Sequence, residues 1–203
     1  MSGIVGSYFN TRGSGVVAKL GTDGQVFTST GAGLSQGFEA AAGGGKILQV
    51  VSYSTDAHSS QTEGTTFVDI SSFLVAITPT ATDSRIWIDV GIGLFGGDDN
   101  RAAVFAIERA ISGGTTELLP AGTAASNRLG GHGRGFSGSG YHGQSTSFSI
   151  LDTTHNTTSE ITYQLQWCVQ QTTTYINRTV QDVDFAHYGS RTISQMTAWE
   201  IGA

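Results

Sequence analysis

From residue 46 onward the chain repeats one pattern: short runs of alternating apolar and polar side chains, each closed by glycine, serine, threonine or proline. Alternation with period two puts every second side chain on one face of an extended strand. The clearest run is 85–94, where Ile86, Ile88, Val90, Ile92 and Leu94 share a face. Residues 160–169 repeat it, with Ile161, Tyr163, Leu165, Trp167 and Val169 on one side and Thr162, Gln164 and Gln166 on the other. β-Branched and aromatic content predicts further strands at 47–53, 67–70, 73–78 (stopped by Pro79), 147–151, 175–178 and 194–201. Residues 101–111, RAAVFAIERAI, partly fit a helical period as well, but flanking Gly-Gly pairs and the Val-Phe-Ala-Ile alternation favour a strand. Short strands split by Gly/Ser/Thr turns, with no convincing helix, predict an all-β fold. The expectation is an antiparallel β-sandwich, jelly-roll-like, forming a head domain over 46–203.

Residues 1–45 read differently. Glycine stands at 3, 6, 13, 15, 21, 24, 31, 33, 37, 43, 44 and 45, so no stretch there can form its own core. The best local element is 25–29, entered through Thr22-Asp23-Gly24, where Asp-Gly favours a tight turn. Ala40 to Gly45 reads as a flexible joint. The segment is expected to be an extended Gly-rich N-terminal anchor or stalk, reaching at most ~150 Å at about 3.3 Å per residue and ordered by a partner chain.

Composition sharpens this picture. Gly, Ser and Thr fill 77 of the 203 positions, a surplus that by itself suggests disorder. Hydrophobic content of 38%, with three Trp, six Tyr and ten Phe, is nevertheless enough for one core. A net charge of −6 with two lysines, Lys19 and Lys46, speaks against nucleic-acid binding, which needs a basic stripe to neutralise phosphates. No apolar run approaches the roughly 20 residues of a membrane-spanning helix, so no membrane insertion is expected. MSGIVGSYFNTRGSG lacks the charged and apolar regions of a signal peptide, and Cys168 has no second cysteine to pair with. Only 13% of residues are charged, which points to a surface covered in an assembly.

Candidate chemistry is sparse. Asp98-Asp99-Asn100 lacks the spaced oxygen ligands of a calcium loop. His58, His132, His142, His155 and His187 show no zinc-hydrolase spacing. Asp182 and Asp184, at i and i+2, read as a solvated strand face rather than a glycosidase pair. No phosphate-binding glycine loop and no nucleophile elbow is present. Asn156-Thr-Thr and Asn177-Arg-Thr match the glycosylation sequon but are expected to be inert without export. No catalytic residue, metal site or cofactor is therefore expected, and the chain is read as a non-enzyme. The segment 129–144 stands apart, with seven glycines, two histidines, an arginine and two aromatics. It reads as a surface loop whose His132, Arg134, Phe136, Tyr141 and His142 either contact a receptor or pack on a neighbouring subunit.

Three segments resemble virion fibre proteins of tailed bacteriophages, those of marine phages in particular. Leu20-Gly-Thr-Asp-Gly-Gln-Val-Phe-Thr-Ser-Thr-Gly-Ala-Gly33 is similar to the GT-x-GQVLTS-x-G-x-G segment of phage tail-fibre and appendage proteins. Residues 76–88, AITPTATDSRIWI, resemble the ITPSSTSSKILI strand-turn-strand of their β-sandwich heads, and TAWEIGA closes the chain on a strand as such heads do. The resemblance implies a non-enzymatic virion protein, a tail-fibre or adhesin subunit, assembled in the host cytoplasm as a homotrimer. Its N-terminal segment would attach to other virion proteins of tail or capsid, with Gly21, Asp23, Gly24, Gln25, Val26 and Phe27 as anchoring residues. Its head would meet a host surface glycan or protein. The chain departs from long fibres in lacking a repetitive shaft. The alternative is a head fibre or a decoration (cement) protein that stabilises a capsid.

Overall fold

The computed structural model describes residues 25–29, 36–40, 46–98, 100–169 and 172–203. The chain divides into two units, Met1–Gly44 and Gly45–Ala203. In the first, β1 (Gln25–Ser29) and β2 (Gln36–Ala40) pair antiparallel, with Phe27 opposite Phe38. The segment is thus not extended throughout: the predicted strand at 25–29 has a partner that its sequence, QGFEA, did not announce. Gly21, Asp23, Gly24 and the joint at 41–45 lie outside the described residues.

The second unit is all-β and antiparallel. Its strands are β3 (Ile47–Thr55), β4 (Ser60–Gln61), β5 (Val68–Ile77), β6 (Arg85–Gly96), β7 (Arg101–Ile111), β8 (Thr116–Leu118), β9 (Gly133–Ser137), β10 (Gly143–Asp152), β11 (Ile161–Val169), β12 (Thr174–Ile176) and β13 (Ser194–Ile201). One sheet runs β3-β13-β6-β12-β4, with β10 also on β6; the other runs β5-β11-β7-β8, with β9 also on β7. The chain crosses between the sheets at β4–β5, β5–β6, β6–β7, β9–β10, β10–β11 and β11–β12, which makes the sandwich jelly-roll-like.

The core lies where alternation put it. Ile86, Ile88, Val90 and Ile92 of β6 face Ile161, Tyr163, Leu165 and Trp167 of β11, with Phe73, Phe95, Phe105 and Met196 filling between. Phe105 stacks on Trp167 at 6.5 Å between centroids and meets Phe95 edge-on at 6.2 Å. Residues 101–111 are a strand, flanked by β11 on one side and by β8 and β9 on the other. The two runs predicted at 67–70 and 73–78 are one strand interrupted by a bulge. Ser72 takes φ +58°, and the Gln164 amide donates to the carbonyls of Ile70 (2.8 Å) and Phe73 (3.2 Å) that the bulge releases.

The buried carboxylates of the sandwich are paired. Arg109 donates to both carboxylate oxygens of Asp152 at 2.7 Å and to Glu117, while the Tyr163 hydroxyl donates to Asp152 at 2.8 Å. Burial by itself would raise the Asp152 carboxyl. The Thr154 N–H, Arg109 and Tyr163 outweigh it and hold the group below the usual carboxylate range. Burial, then the Asp152 charge, push the Tyr163 phenol upward. Glu200, fully buried on β13, accepts from Gln49 Nε2 (2.6 Å) and from Thr80 N (2.7 Å) and Oγ1 (2.8 Å). These bonds tie the 78–84 turn to the sheet.

Candidate functional site

The segment 129–144 is not a loop throughout. Residues 133–137 form β9, with Gly135 opposite Ala103 of β7. Its glycines serve close packing rather than backbone freedom: a Cβ on Gly135 would stand 2.7 Å from Phe95 Cγ and 3.1 Å from Phe105 Cε2. Inward glycines turn the alternate residues out, leaving Arg134 exposed, with its guanidinium 5.7 Å from the half-buried Phe136 ring.

His132 is half-buried and bonded within the chain. Its Nδ1 accepts from Ile107 N–H at 3.0 Å, which fixes the proton on Nε2, and Nε2–H donates to the Pro120 carbonyl at 3.1 Å. The ring stacks on Phe148, and burial lowers its pKa despite the Pro120 bond. With both nitrogens engaged, His132 positions the 119–132 connection rather than presenting a ligand.

Tyr141 and His142 project from the tight turn between β9 and β10. His142 N–H donates to Ser139 O at 3.1 Å, and the Ser137 hydroxyl lies 2.6 Å from His142 O and 2.8 Å from Gly97 O. A second loop, 177–193, packs beside this turn, with Gln181 N–H donating to Gly140 O at 3.1 Å. That loop is fixed by Asp182, which takes both Arg191 (2.8 Å) and Arg178 (3.3 Å). Arg178 also lies 4.1 Å over the Tyr175 ring. Asp182 and Asp184 therefore sit on a loop rather than a strand face, and Asp182 is spent on holding it.

Together the two loops bring five aromatic side chains to one end of the sandwich. Phe185 stacks on Tyr188 at 5.4 Å, and Tyr188 meets Tyr141 (6.0 Å) and His142 (5.7 Å) edge-on. His187 lies 5.9 Å from Phe185. Phe185 is 54% exposed, Tyr141 48% and Tyr188 43%. Of the residues expected from the sequence, Tyr141 and His142 join this cluster, whereas Arg134 and Phe136 lie on β9 and the half-buried His132 bonds within the chain. Phe185, His187 and Tyr188 were missed. The signal was present in Asp-Phe-Ala-His-Tyr-Gly, where three ring-bearing residues crowd a segment without strand alternation.

The remaining candidates take structural places. Asp98 and Asn100 form a turn whose Asn100 has φ +56°, and Asp99 lies outside the described residues. His155 is buried, with Nε2 2.7 Å from Ser84 O. Asn177 of the second sequon is fully buried: its amide donates to Thr55 O and Ala57 O, and its Oδ1 accepts from Ser194. No group of three metal-ligating side chains occurs among the described residues.

No protein-family model and no curated protein matches the sequence. Solved structures of infectious bursal disease virus do. The VP2 subviral particle aligns over 88% of this chain and 43% of its own, at 12% identity and TM-score 0.40. The Gx strain structure aligns over 88% and 42%, at 13% identity and TM-score 0.38. This chain thus spans less than half the length of the structures it matches, and a likeness this distant assigns neither function nor partners.

Proposed function

We propose that this chain is a non-enzymatic structural protein of a virion, a bacteriophage tail-fibre or adhesin subunit. On this reading residues 1–45 attach it to the particle, as a homotrimer, and the sandwich presents its aromatic end to the host surface. The observation that carries the reading is the cluster of Tyr141, His142, Phe185, His187 and Tyr188. Flat rings exposed on loops that are themselves fixed by Asp182, Gln181 and Ser137 offer contact area at little entropic cost, as recognition surfaces require. The fibre-like segments at 20–33 and 76–88 and the low charge agree with it.

The test is binding of the full chain to immobilised bacterial lipopolysaccharides and capsular oligosaccharides. Phe185→Ala with Tyr188→Ala should lower retention about tenfold or more while sedimentation of the assembly stays unchanged. Equal retention by variant and parent would remove the aromatic end from the reading. A capsid-decoration role is the second reading, favoured by the apolar outer sheet face described next. Copy number in purified particles separates the two, with hundreds of copies marking decoration.

A further inference from the structure

The six-stranded sheet turns an apolar face outward, on strands other than the loops that carry the aromatic end. Leu151, Trp87, Trp199 and Val50 form one row across β10, β6, β13 and β3, each directly opposite the next. Trp87, Leu151 and Val50 are 40–46% exposed. On one side of this row lie Arg85, Ile201 and Ile47; on the other lie Ser149, Asp89, Thr197 and Ser52. A depression of about 280 Å³ opens between Ile47, Ile201, Trp87, Trp199 and Asp89. Contiguous exposed apolar surface of this kind marks a contact with another macromolecule. β3, at its border, pairs with β13 alone among the described strands, and its nine residues include neither proline nor charge. An edge left so unprotected is a site of association unless something covers it.

We propose that a second copy of this chain covers the face, packed sheet to sheet about a two-fold axis along the tryptophan row. Charge decides the occupant. Arg85 and Asp89 both point outward on β6, two residues either side of Trp87 and so about 7 Å from the row at 3.3 Å per residue. Neither has a hydrogen-bond or ionic partner among the described residues, and some 13 Å apart they lie beyond a physiological Debye length of about 8 Å. A two-fold along the row reverses strand direction. Arg85 then stands over Asp89 of the partner subunit, and Asp89 over Arg85 of the partner subunit. A packing with strands parallel would set like charge on like charge instead. The row meets its own counterpart, so each indole packs against the same indole of the other copy. Aligned sheets pack within about 30° of one another, which this arrangement allows.

The face spans four strands and about five residues, roughly 19 by 16 Å, an area of the weak-contact class. Such a contact operates where many copies are held close together, as on a particle. It doubles whatever assembly residues 1–45 produce, so its failure and the failure of the trimer reading give different masses.

The test is sedimentation of the full chain from about 5 to about 500 µM, the range for an interface this small, with acrylamide quenching of tryptophan. Trp167 is buried, so quenching reports Trp87 and Trp199. The mass should double with concentration as quenching falls. Arg85→Asp and Asp89→Arg should each raise the half-association concentration about tenfold, and the two combined should restore it to within about threefold. Both positions are exposed, so thermal unfolding should not change. Three results overturn the proposal. Constant mass with open tryptophans assigns the face to another kind of molecule. Protected tryptophans at the lowest concentration assign it to this chain's own residues. Doubling that ignores the single charge reversals, or that the exchange fails to restore, rejects the two-fold.

Discussion

Replacing Arg109 by Met tests how far the sandwich depends on one buried ion pair. Arg109 is 4% exposed and Asp152 3%, and two 2.7 Å hydrogen bonds join them between β7 and the end of β10. Without the guanidinium, Asp152 keeps the Thr154 N–H (2.9 Å) and the Tyr163 hydroxyl (2.8 Å) but carries a charge with no counter-ion beneath the sheet. Removing one partner of a buried pair costs about 3–5 kcal/mol, because the survivor stays desolvated. Against a total stability of about 5–15 kcal/mol that is a large fraction. At 2–4 °C per kcal/mol for a domain of this size, the unfolding midpoint should fall by roughly 6–20 °C. Thermal unfolding at pH 7, followed by tryptophan emission, measures the midpoint, and guanidinium unfolding the free energy. Arg109→Met combined with Asp152→Asn should recover at least about half the loss, since the stranded charge is gone. A loss below about 1 kcal/mol, or a double variant no better than the single, would refute the reasoning.

Glu200→Gln should cost about 1–3 kcal/mol, because an amide cannot accept from Gln49 and Thr80 at both oxygens; denaturant midpoints report it. Acid should weaken the fold in two stages, read as unfolding midpoint against pH. His132, whose folded pKa is lowered, favours the unfolded state as pH drops below about 6.5, where the free imidazole gains its proton first. Asp152 and Glu200, also lowered, contribute stability that is full above about pH 4–4.5 and is lost as pH falls through their folded values. A profile flat from pH 7 to 3 would contradict both stages. Gly135→Ala should destabilise by about 1–3 kcal/mol, since its methyl would meet the Phe95 and Phe105 rings, whereas Gly138→Ala, with open space around it, should change stability by less than about 0.5 kcal/mol.

Where burial is one-sided the sequence was easy to read. β6 and β11 kept the faces their alternation predicted, because each sheet presents one side to the core and the other to water or polar neighbours. β7 was ambiguous for a physical reason. Packed strands flank it, so Ala102, Ala103, Phe105, Ala106 and Ile107 are all buried and period two fades. The bulge in β5 was invisible because Gln164, ninety residues away, supplies the missing hydrogen bonds. For the same reason GHGRGFSGSG looked like a loop: Gly135 records the rings of Phe95 and Phe105 and Gly133 that of Phe148, which no local pattern reveals. The aromatic end was half legible. Tyr141 and His142 stood out in their own segment, while Phe185 and Tyr188 reach them through a loop held by ion pairs between residues far from any repeat.

The pairing of β3 with β13 bears on how the chain acquires its structure in time. Ile47–Thr55 finds its only described sheet neighbour in Ser194–Ile201, and β6 waits for both β10 and β13. Such remote partners impose loop-closure entropy before any contact rewards it, so folding should be slow for the size of the domain. During synthesis β6 would remain half-paired until the ribosome has released Ile201. Until then its uncovered edge is available to any other nascent chain nearby, and the rate of the last hundred residues' synthesis sets how long that exposure lasts.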